Sequence, residues 1–111
     1  MATEALVRVK EGNDETLKFT LTSSIVGYTL TGKTFKFLVK KYKSDDDAEA
    51  LVTKTGPSAS IVVDDAALLK LSVKIPDTEM PVGNTYFYRL DVIDGTAVNT
   101  AMFGPFEVED L

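Results

Sequence analysis

The chain has 111 residues, a hydrophobic fraction of 44%, a charged fraction of 26% and a net charge of −5 at pH 7, which is the composition of one folded domain. It contains neither cysteine nor histidine, which excludes disulfides, zinc–thiolate sites and Ser-His-Asp or Cys-His catalytic groups. The acidic charge does not favour nucleic acid or an anionic membrane as a partner. The absence of an apolar run of about 18 residues indicates that no transmembrane helix is present in the sequence.

The predicted elements are β-strands, and the first two are the segments 4–10 and 16–22. The stretch "EGND", residues 11–14, lies between them and is typical of a hairpin turn. In the second segment apolar residues alternate with lysine and threonine, which is the pattern of a half-buried strand. The inward positions there are Leu17, Phe19 and Leu21.

The middle of the chain continues this pattern. Segment 34–41 alternates strongly, with Phe35, Phe37 and Val39 on the inward side. Helical periodicity is almost absent, and the one candidate is "SDDDAEAL", where Ser44 is predicted to cap a short turn that includes Asp47. Further strands are predicted at 50–53, 60–63 and 69–75.

Segment 85–93 is the clearest strand, because Tyr86, Tyr88, Leu90 and Val92 all fall on one face. The lead-in "MPVG", residues 80–83, resembles a corner at which the chain passes between sheets, with a tyrosine hydroxyl bonded to nearby backbone. The predicted structural corner consists of Pro81, Gly83 and Tyr86.

The last strand is predicted within "NTAMFGPFEVEDL", residues 99–111, where Gly104-Pro105 is interpreted as a bulge or a sheet edge because proline cannot donate to the ladder. Seven or eight strands at a spacing of roughly 8–12 residues predict an all-β fold. We expect one domain over residues 1–111, an immunoglobulin-like antiparallel β-sandwich, with a small barrel as the alternative.

The carboxylates suggest a calcium site and a hydrolytic site, and their spacing in the sequence favours neither. Asp45, Asp46 and Asp47, with Asp64 and Asp65 at a distance, suggest calcium, but no EF-hand spacing or positioning glycine follows them. A solvated loop is the preferred interpretation, and no metal or cofactor is predicted.

A hydrolase would need two carboxyl groups that face each other across a cleft, one of them with a raised pKa. The pairs at Asp77 and Glu79 and at Asp91 and Asp94 lie in a turn and at a strand end, and no cleft is indicated. Asp77 is instead predicted to cap a short helical kink. The chain is therefore predicted not to be an enzyme.

Two other groups of residues are predicted to have structural roles rather than binding roles. The aromatic residues Phe35, Phe37, Tyr86 and Tyr88 alternate within strands, so they are predicted to be core rather than a carbohydrate platform. The lysines between residues 33 and 43 adjoin an aspartate run that cancels their field, so they are interpreted as guards against edge-to-edge aggregation rather than a nucleic-acid stripe.

Three apolar residues sit at outward positions, where charged side chains are expected. Segments 34–41 and 85–93 correspond to the third and sixth strands of the predicted topology, which are neighbours. Contiguous outward apolar side chains indicate a contact surface. The predicted partner interface consists of Leu38, Phe87 and Ile93.

The chain resembles the small immunoglobulin-like proteins of tailed bacteriophages and prophages, and is similar to the N-terminal domain of phage baseplate upper proteins. Residues about 14 to 109 carry the resemblance, through Leu30-Thr31-Gly32 before the Phe35 strand, "PDTEMPVG", the alternation Tyr86-Tyr88-Leu90, and the closing Gly104-x-Phe106-x-Val108.

The resemblance implies a non-enzymatic structural or adaptor component of a virion, in the tail, the baseplate or an accessory position. Its partners would be other virion proteins or copies of itself. The N-terminus has no apolar segment typical of a secretory signal, so synthesis in the bacterial cytoplasm and assembly into the virion are expected. The alternative is a β-sandwich module that binds a receptor or glycan on the host surface.

Overall fold

The computed structural model describes residues 3–22, 27–42 and 46–109. These residues form strands joined by turns, with two short 3₁₀ helices at Asp47–Glu49 and Asp77–Glu79. The strands are β1 Thr3–Glu4, β2 Val7–Lys10, β3 Glu15–Thr20, β4 Thr34–Lys40, β5 Val52–Gly56, β6 Ile61–Asp65, β7 Lys70–Ile75, β8 Asn84–Asp94 and β9 Ala97–Glu109. β1 and β2 are two segments of one edge strand, so the described residues contain eight strands, within the predicted seven or eight.

The strands form two sheets that pack face to face. The larger sheet has the order β1-β9-β8-β4-β5, with β2 also paired to β9, and the smaller sheet has the order β3-β7-β6. β4 and β8 are antiparallel neighbours, as the sequence predicts for the third and sixth strands of this topology. The all-β, immunoglobulin-like sandwich is confirmed.

The N-terminal strand departs from the prediction. β1 and β2 both pair with β9 in parallel, whereas the other strand pairs are antiparallel. Residues 11–14 therefore do not form a hairpin turn, because they carry the chain from the larger sheet to β3 in the smaller one. The Asp14 carboxylate anchors this crossing by accepting the backbone N–H of Asp77, at 2.7 Å.

Gly104 and Pro105 also lie elsewhere than predicted. They lie inside the larger sheet, where they pair with Tyr88 and Phe87 of β8 in unbroken register. On the other side of β9 they face the gap between β1 and β2, where no ladder hydrogen bond from proline is required. The bulge in β9 occurs earlier, at Ala101, where the register with β8 shifts by one residue. The pair is therefore neither the bulge nor an edge.

Aromatic rings join the two sheets at the centre of the core. Antibody domains place a cysteine of the inter-sheet disulfide two residues after the tyrosine of the corner. Tyr88 occupies that place here, and its ring centroid lies 6.0 Å from Phe19 of the opposite sheet and 5.8 Å from Phe37. Phe106 packs edge-on against Tyr88 and Phe37. Ring packing thus takes the position that a disulfide holds in antibody domains.

The structural corner is present where the sequence predicts it. The Tyr86 hydroxyl donates to the carbonyl oxygen of Val82 at 2.7 Å, and the ring is buried. The backbone N–H of Gly83 donates to the Glu11 carboxylate, which ties the corner to the crossing segment. Burial raises the pKa of Tyr86, with a smaller contribution from the charge of Glu11. The hydroxyl therefore remains a donor at neutral pH.

The helix cap predicted at Asp77 is not formed. The 3₁₀ helix at Asp77 has Pro76 at its N-cap position and no side-chain capping bond, so Asp77 is the first helical residue rather than the cap. The other 3₁₀ helix begins at Asp47 with Asp46 at its N-cap, again without a side-chain bond. Ser44 lies outside the described residues.

Candidate interaction surface

The outer face of the larger sheet is the side that turns away from the sandwich core. On β8 the residues Phe87, Arg89, Asp91 and Ile93 occupy this face, since the intervening residues are buried in the core. Cross-strand neighbours of Phe87 are Lys40 on β4 and Pro105 on β9, while Leu38 and Phe103 flank Arg89 in the next row.

Leu38 is on the outer face but is not available to a partner. Its side chain is fully buried at 0% exposure. The 3₁₀ helix Asp47–Glu49 contacts β4, and Asp47 forms ion pairs with Lys40 and Arg89, which neighbour Leu38 on that face. Leu38 is therefore a buried residue of its own chain, and its assignment to an interface is wrong.

Ile93 lies on the same face but far from Phe87. Arg89 and Asp91 stand between them along β8, and six residues of strand span about 20 Å. Ile93 is half-buried beside Thr34, its partner on β4. Of the three predicted interface residues, only Phe87 remains as a large exposed hydrophobic side chain, and the three do not form one surface.

A different apolar group surrounds Phe87. Phe103 and Pro105 on β9 are half-buried on the outer face, and Pro105 is directly opposite Phe87. Leu6 lies at the gap between β1 and β2, and it is 48% exposed because its neighbours Ala5 and Val7 pack against the core. We call Leu6, Phe87, Phe103 and Pro105 the apolar patch.

Sequence reasoning missed three of these four residues, although a signal was present. Alternation continues through the Gly104-Pro105 pair, since Met102, Gly104, Phe106 and Val108 are all buried. The residues between them, among them Phe103 and Pro105, must therefore face outward. Interpretation of the pair as a bulge interrupted this alternation at the point where it identifies the surface.

A recess of about 190 Å³ opens beside the patch. The aromatic rings of Phe87 and Phe103 form part of its wall, and Lys40 and Arg89 supply polar atoms. Gly104 also contributes to the lining. The complete lining is Lys40, Phe87, Tyr88, Arg89, Thr100, Phe103 and Gly104.

A chain of charged side chains crosses the same face. The Lys40 ammonium is 2.7 Å from one carboxylate oxygen of Asp47, and Nη2 of Arg89 is 2.7 Å from the other. Nε of Arg89 also donates to both oxygens of Asp91 at 3.0 Å, and the Thr100 hydroxyl donates to Asp91 at 3.0 Å. Lys40, Asp47, Arg89, Asp91 and Thr100 are called the ionic network below.

Two groups of the network, Asp47 and Arg89, are stabilised in their charged forms. Hydrogen bonds from Arg89, and then from Lys40, hold the pKa of Asp47 well below its ordinary value. The bond to Asp47 in turn raises the pKa of Arg89. A carboxylate with a strongly lowered pKa is a weak base, so Asp47 is poorly suited to general acid–base chemistry. The network is better suited to holding the 3₁₀ helix over β4.

The acidic residues considered for calcium have other roles where the structure describes them. Asp64 accepts the hydroxyl of Ser72, and Asp65 accepts the backbone N–H of Leu68. Asp45 lies outside the described residues. Within the described ranges, no group of three or more acidic residues is placed to hold a metal ion.

The carboxylates considered for hydrolysis do not face one another across a cleft. Glu79 forms an ion pair with Lys54, Asp94 is 3.6 Å from Lys33, and Asp91 belongs to the ionic network.

The aromatic residues assigned to the core are all buried there: Phe35, Phe37, Tyr86 and Tyr88. No helix in the described part of the chain is long and apolar enough to cross a membrane.

Comparisons with known proteins identify the fold only. No family model and no curated protein matches the chain. Among solved structures, the NK cell receptor Nkp44 matches with 16% identity and a TM-score of 0.50, over 96% of this chain and 99% of that one. The Ig1 domain of mouse SynCAM 2 matches with 16% identity and a TM-score of 0.43, over 95% and 91%. At such identity the likeness to Nkp44 supports the immunoglobulin-like fold alone.

Proposed function

We propose that this domain is a non-enzymatic binding module that docks with other proteins through the apolar patch and serves as a structural or adaptor component of a phage or prophage virion. The observation that carries the docking proposal is the exposed ring of Phe87 beside Phe103, Pro105 and Leu6 on a broad sheet face. Aromatic anchors next to a pocket are what protein interfaces use at their centres.

The ionic network supports docking rather than chemistry on this face. Its charges are already matched within the chain, so Lys40 and Arg89 would enter an interface together with Asp47 and Asp91 rather than as unpaired ions. Desolvating an unpaired charge is costly, and a matched set lowers that cost. A face of this kind is suited to stable contact with a protein surface.

The virion context rests on the sequence resemblance to small immunoglobulin-like phage proteins. It favours a tail, baseplate or accessory position, with other virion proteins or further copies of the chain as partners. Synthesis would take place in the cytoplasm of the bacterial host. A domain stabilised by ring packing, without a disulfide, is compatible with assembly in that reducing compartment.

Binding of a host-surface receptor or glycan is the second candidate. The recess of about 190 Å³ favours it, because aromatic residues and two cationic residues line it. In that case free saccharides would bind at the recess in the absence of any other virion protein.

The proposed function is tested in particles. A host that produces virions lacking the native gene is complemented with the wild type, with Phe87→Ser, or with Leu68→Ser. Leu68 is 58% exposed and lies in the turn between β6 and β7, so it is a matched control.

Quantitative mass spectrometry of purified particles should find the wild type and the Leu68 variant at equal levels. The Phe87 variant should be reduced at least about tenfold, as expected for loss of a buried aromatic anchor. Absence of the wild type from particles would contradict the virion role, and normal incorporation of the Phe87 variant would contradict the docking surface.

A further inference from the structure

We infer that β3, at the edge of the smaller sheet, accepts an extended acidic segment of a partner protein as an added strand. This surface belongs to the opposite sheet from the apolar patch, so it is a second docking site that does not depend on the first. Two observations carry the inference: open backbone hydrogen-bonding groups along β3, and lysines without ion pairs on the sheet face beside it.

The edge of β3 has no described strand beside it. β7 is the only described element that lies along β3, because the N-terminal strand pairs with β9 in the larger sheet instead. Constant-type immunoglobulin domains place their first strand next to the second in this sheet. No strand of the described residues takes that place here, so the architecture leaves a strand position open to a partner.

The ladder with β7 identifies the backbone groups that face this open position. The N–H of Leu21, directly after β3, donates to the carbonyl of Leu69 at 2.8 Å. In an antiparallel ladder the direction of the backbone groups alternates along the strand. Thr16, Lys18 and Thr20 therefore direct their N–H and C=O groups away from β7, and no other described residue bonds to those groups. They form a row of donors and acceptors that an added strand can pair with.

Three exposed lysines lie on the outer face of the smaller sheet, and none of them forms an ion pair within the described residues. They are Lys18 on β3 and Lys70 and Lys74 on β7. Lys18 is paired with Ser72, which lies between the other two, so Lys18 is diagonal to both at about 7–8 Å. Positive charge is thus gathered here in a chain whose net charge is −5.

The carboxylates on this face lie away from the open edge. Asp64 and Asp65 are on β6, at the far side of the sheet, where they accept a hydroxyl and a backbone N–H. Asp65 is also opposite Lys70 in the ladder. Positive charge is therefore least compensated at Lys18 and Lys74, on the side that adjoins the open backbone groups.

Together these features select the occupant. An extended peptide can use both the backbone groups and the lysines, whereas a polyanion without a peptide backbone can use only the lysines. Asp14 and Glu15 stand at the start of β3 and would repel an acidic side chain there, so the partner's acidic residue is placed opposite Lys18.

The same lysine disfavours a second copy as the added strand. In-register pairing of two β3 strands about Lys18 would set like charges directly opposite each other, which destabilises a ladder. Lysine on an edge strand opposes such pairing between identical copies. An acidic strand from another protein meets attraction at the position where a second copy meets repulsion.

The test is titration of the purified domain with a short fluorescein-labelled peptide of alternating glutamate and valine, followed by fluorescence anisotropy. The peptide should bind at low salt and at least about threefold more weakly at high salt, which screens the lysines. Lys18→Gln should weaken binding by about two- to fivefold. Lys36→Gln, which removes the same charge from the larger sheet, should bind as the wild type does. A peptide with lysine in place of glutamate should not bind.

Hydrogen exchange shows whether the peptide pairs with the strand. Bound peptide should protect the N–H groups of Thr16, Lys18 and Thr20, while those of Leu17 and Phe19, which face β7, should change little. Two further peptides, N-methylated at every glutamate or at every valine, keep the charge but lose donors. At least one of them should fail to bind, because one of the two sets must face β3.

Three results would overturn the inference: no binding of the glutamate peptide, equal binding of the lysine peptide, or binding without protection of these N–H groups. If polyphosphate bound as tightly as the peptide, the lysines would be a general anion site, which would also refute it. Phe87→Ser should bind the peptide as the wild type does, so failure here and failure of the apolar patch in particles are observed separately.

Discussion

Two tyrosines of β8 reach from the core to backbone carbonyls, and they hold different parts of the molecule. Tyr86 bonds to Val82, four residues away, and closes the corner before its own strand. Tyr88 bonds at 2.8 Å to the carbonyl of Ala5, 83 residues away, and so ties the N-terminal strand to the centre of the larger sheet. Burial, with a smaller effect of the Glu4 charge, raises the pKa of Tyr88 to about 12, which keeps this donor protonated.

Replacement of Tyr86 by phenylalanine removes only the corner hydrogen bond. The free energy of unfolding should fall by about 1 kcal/mol or more, because the Val82 carbonyl loses its donor at a buried site. Urea unfolding measures the difference. Equal stability of the Tyr86 variant and the parent would refute this role of the corner.

Asp47 predicts a dependence of stability on pH. Arg89 and Lys40 lower its pKa in the folded state, whereas the unfolded chain has a pKa near 3.9. Its contribution is therefore complete above the unfolded value and is lost as the pH falls from there through the lower folded-state pKa. Asp47→Asn should cost about 1 kcal/mol or less at pH 7, because the carboxylate is 42% exposed and solvent screens it.

The difference between Asp47→Asn and the wild type should shrink between about pH 5 and pH 2, and high salt should reduce it at neutral pH. Urea unfolding across that pH range is the measurement. Glu49→Gln, an exposed carboxylate of the same 3₁₀ helix, is the matched control. A pH-independent difference would mean that Asp47 acts through its shape rather than its charge.

At the scale of elements, alternation in the sequence predicts strands well and their partners poorly. The inward positions of β3, β4 and β8 follow from period-two patterns, because each strand has one face in the core. Residues 11–14 have the composition of a hairpin turn, yet β2 pairs in parallel with β9 from the other end of the chain. Turn chemistry is local, whereas that pairing depends on the distant β9 ladder and on the anchor from Tyr88.

Gly104 is the residue that permits this parallel arrangement. Its φ of +148° favours glycine, and a Cβ at this position would collide with the carbonyl oxygen of Ala5. Gly104→Ala should lower the free energy of unfolding by about 1–3 kcal/mol, through backbone strain and displacement of the N-terminal strand. Hydrogen exchange should show loss of protection first in β2 and in the part of β9 that faces it.

Gly32→Ala separates strain from collision. Gly32 also has positive φ, +74°, but a Cβ there would meet nothing within 4 Å. It should cost about 1 kcal/mol and leave the protection of β2 unchanged. If both variants affected β2 equally, close approach of Ala5 would not be the reason for glycine at position 104.

At the scale of the whole molecule, the sequence predicts which side chains share a sheet face but not which of them are exposed there. Strand adjacency and outward parity correctly place Leu38, Phe87 and Ile93 on one sheet face. The 3₁₀ helix Asp47–Glu49 contacts β4 on that face, with Asp47 paired to Lys40 and Arg89 beside Leu38. Two charged residues separate Phe87 from Ile93. Contacts between a loop and a sheet are not periodic, so alternation alone does not predict them.

The central claim is that the apolar patch around Phe87 is the surface through which this domain docks. Its most direct test is photo-crosslinking in cells that produce particles, with benzoylphenylalanine placed at position 87 or, as the control, at the more exposed position 68 on the turn between β6 and β7. We predict crosslinks from position 87 to a second copy or to another virion protein, and none from position 68. Crosslinks from position 68 without any from position 87 would contradict the account.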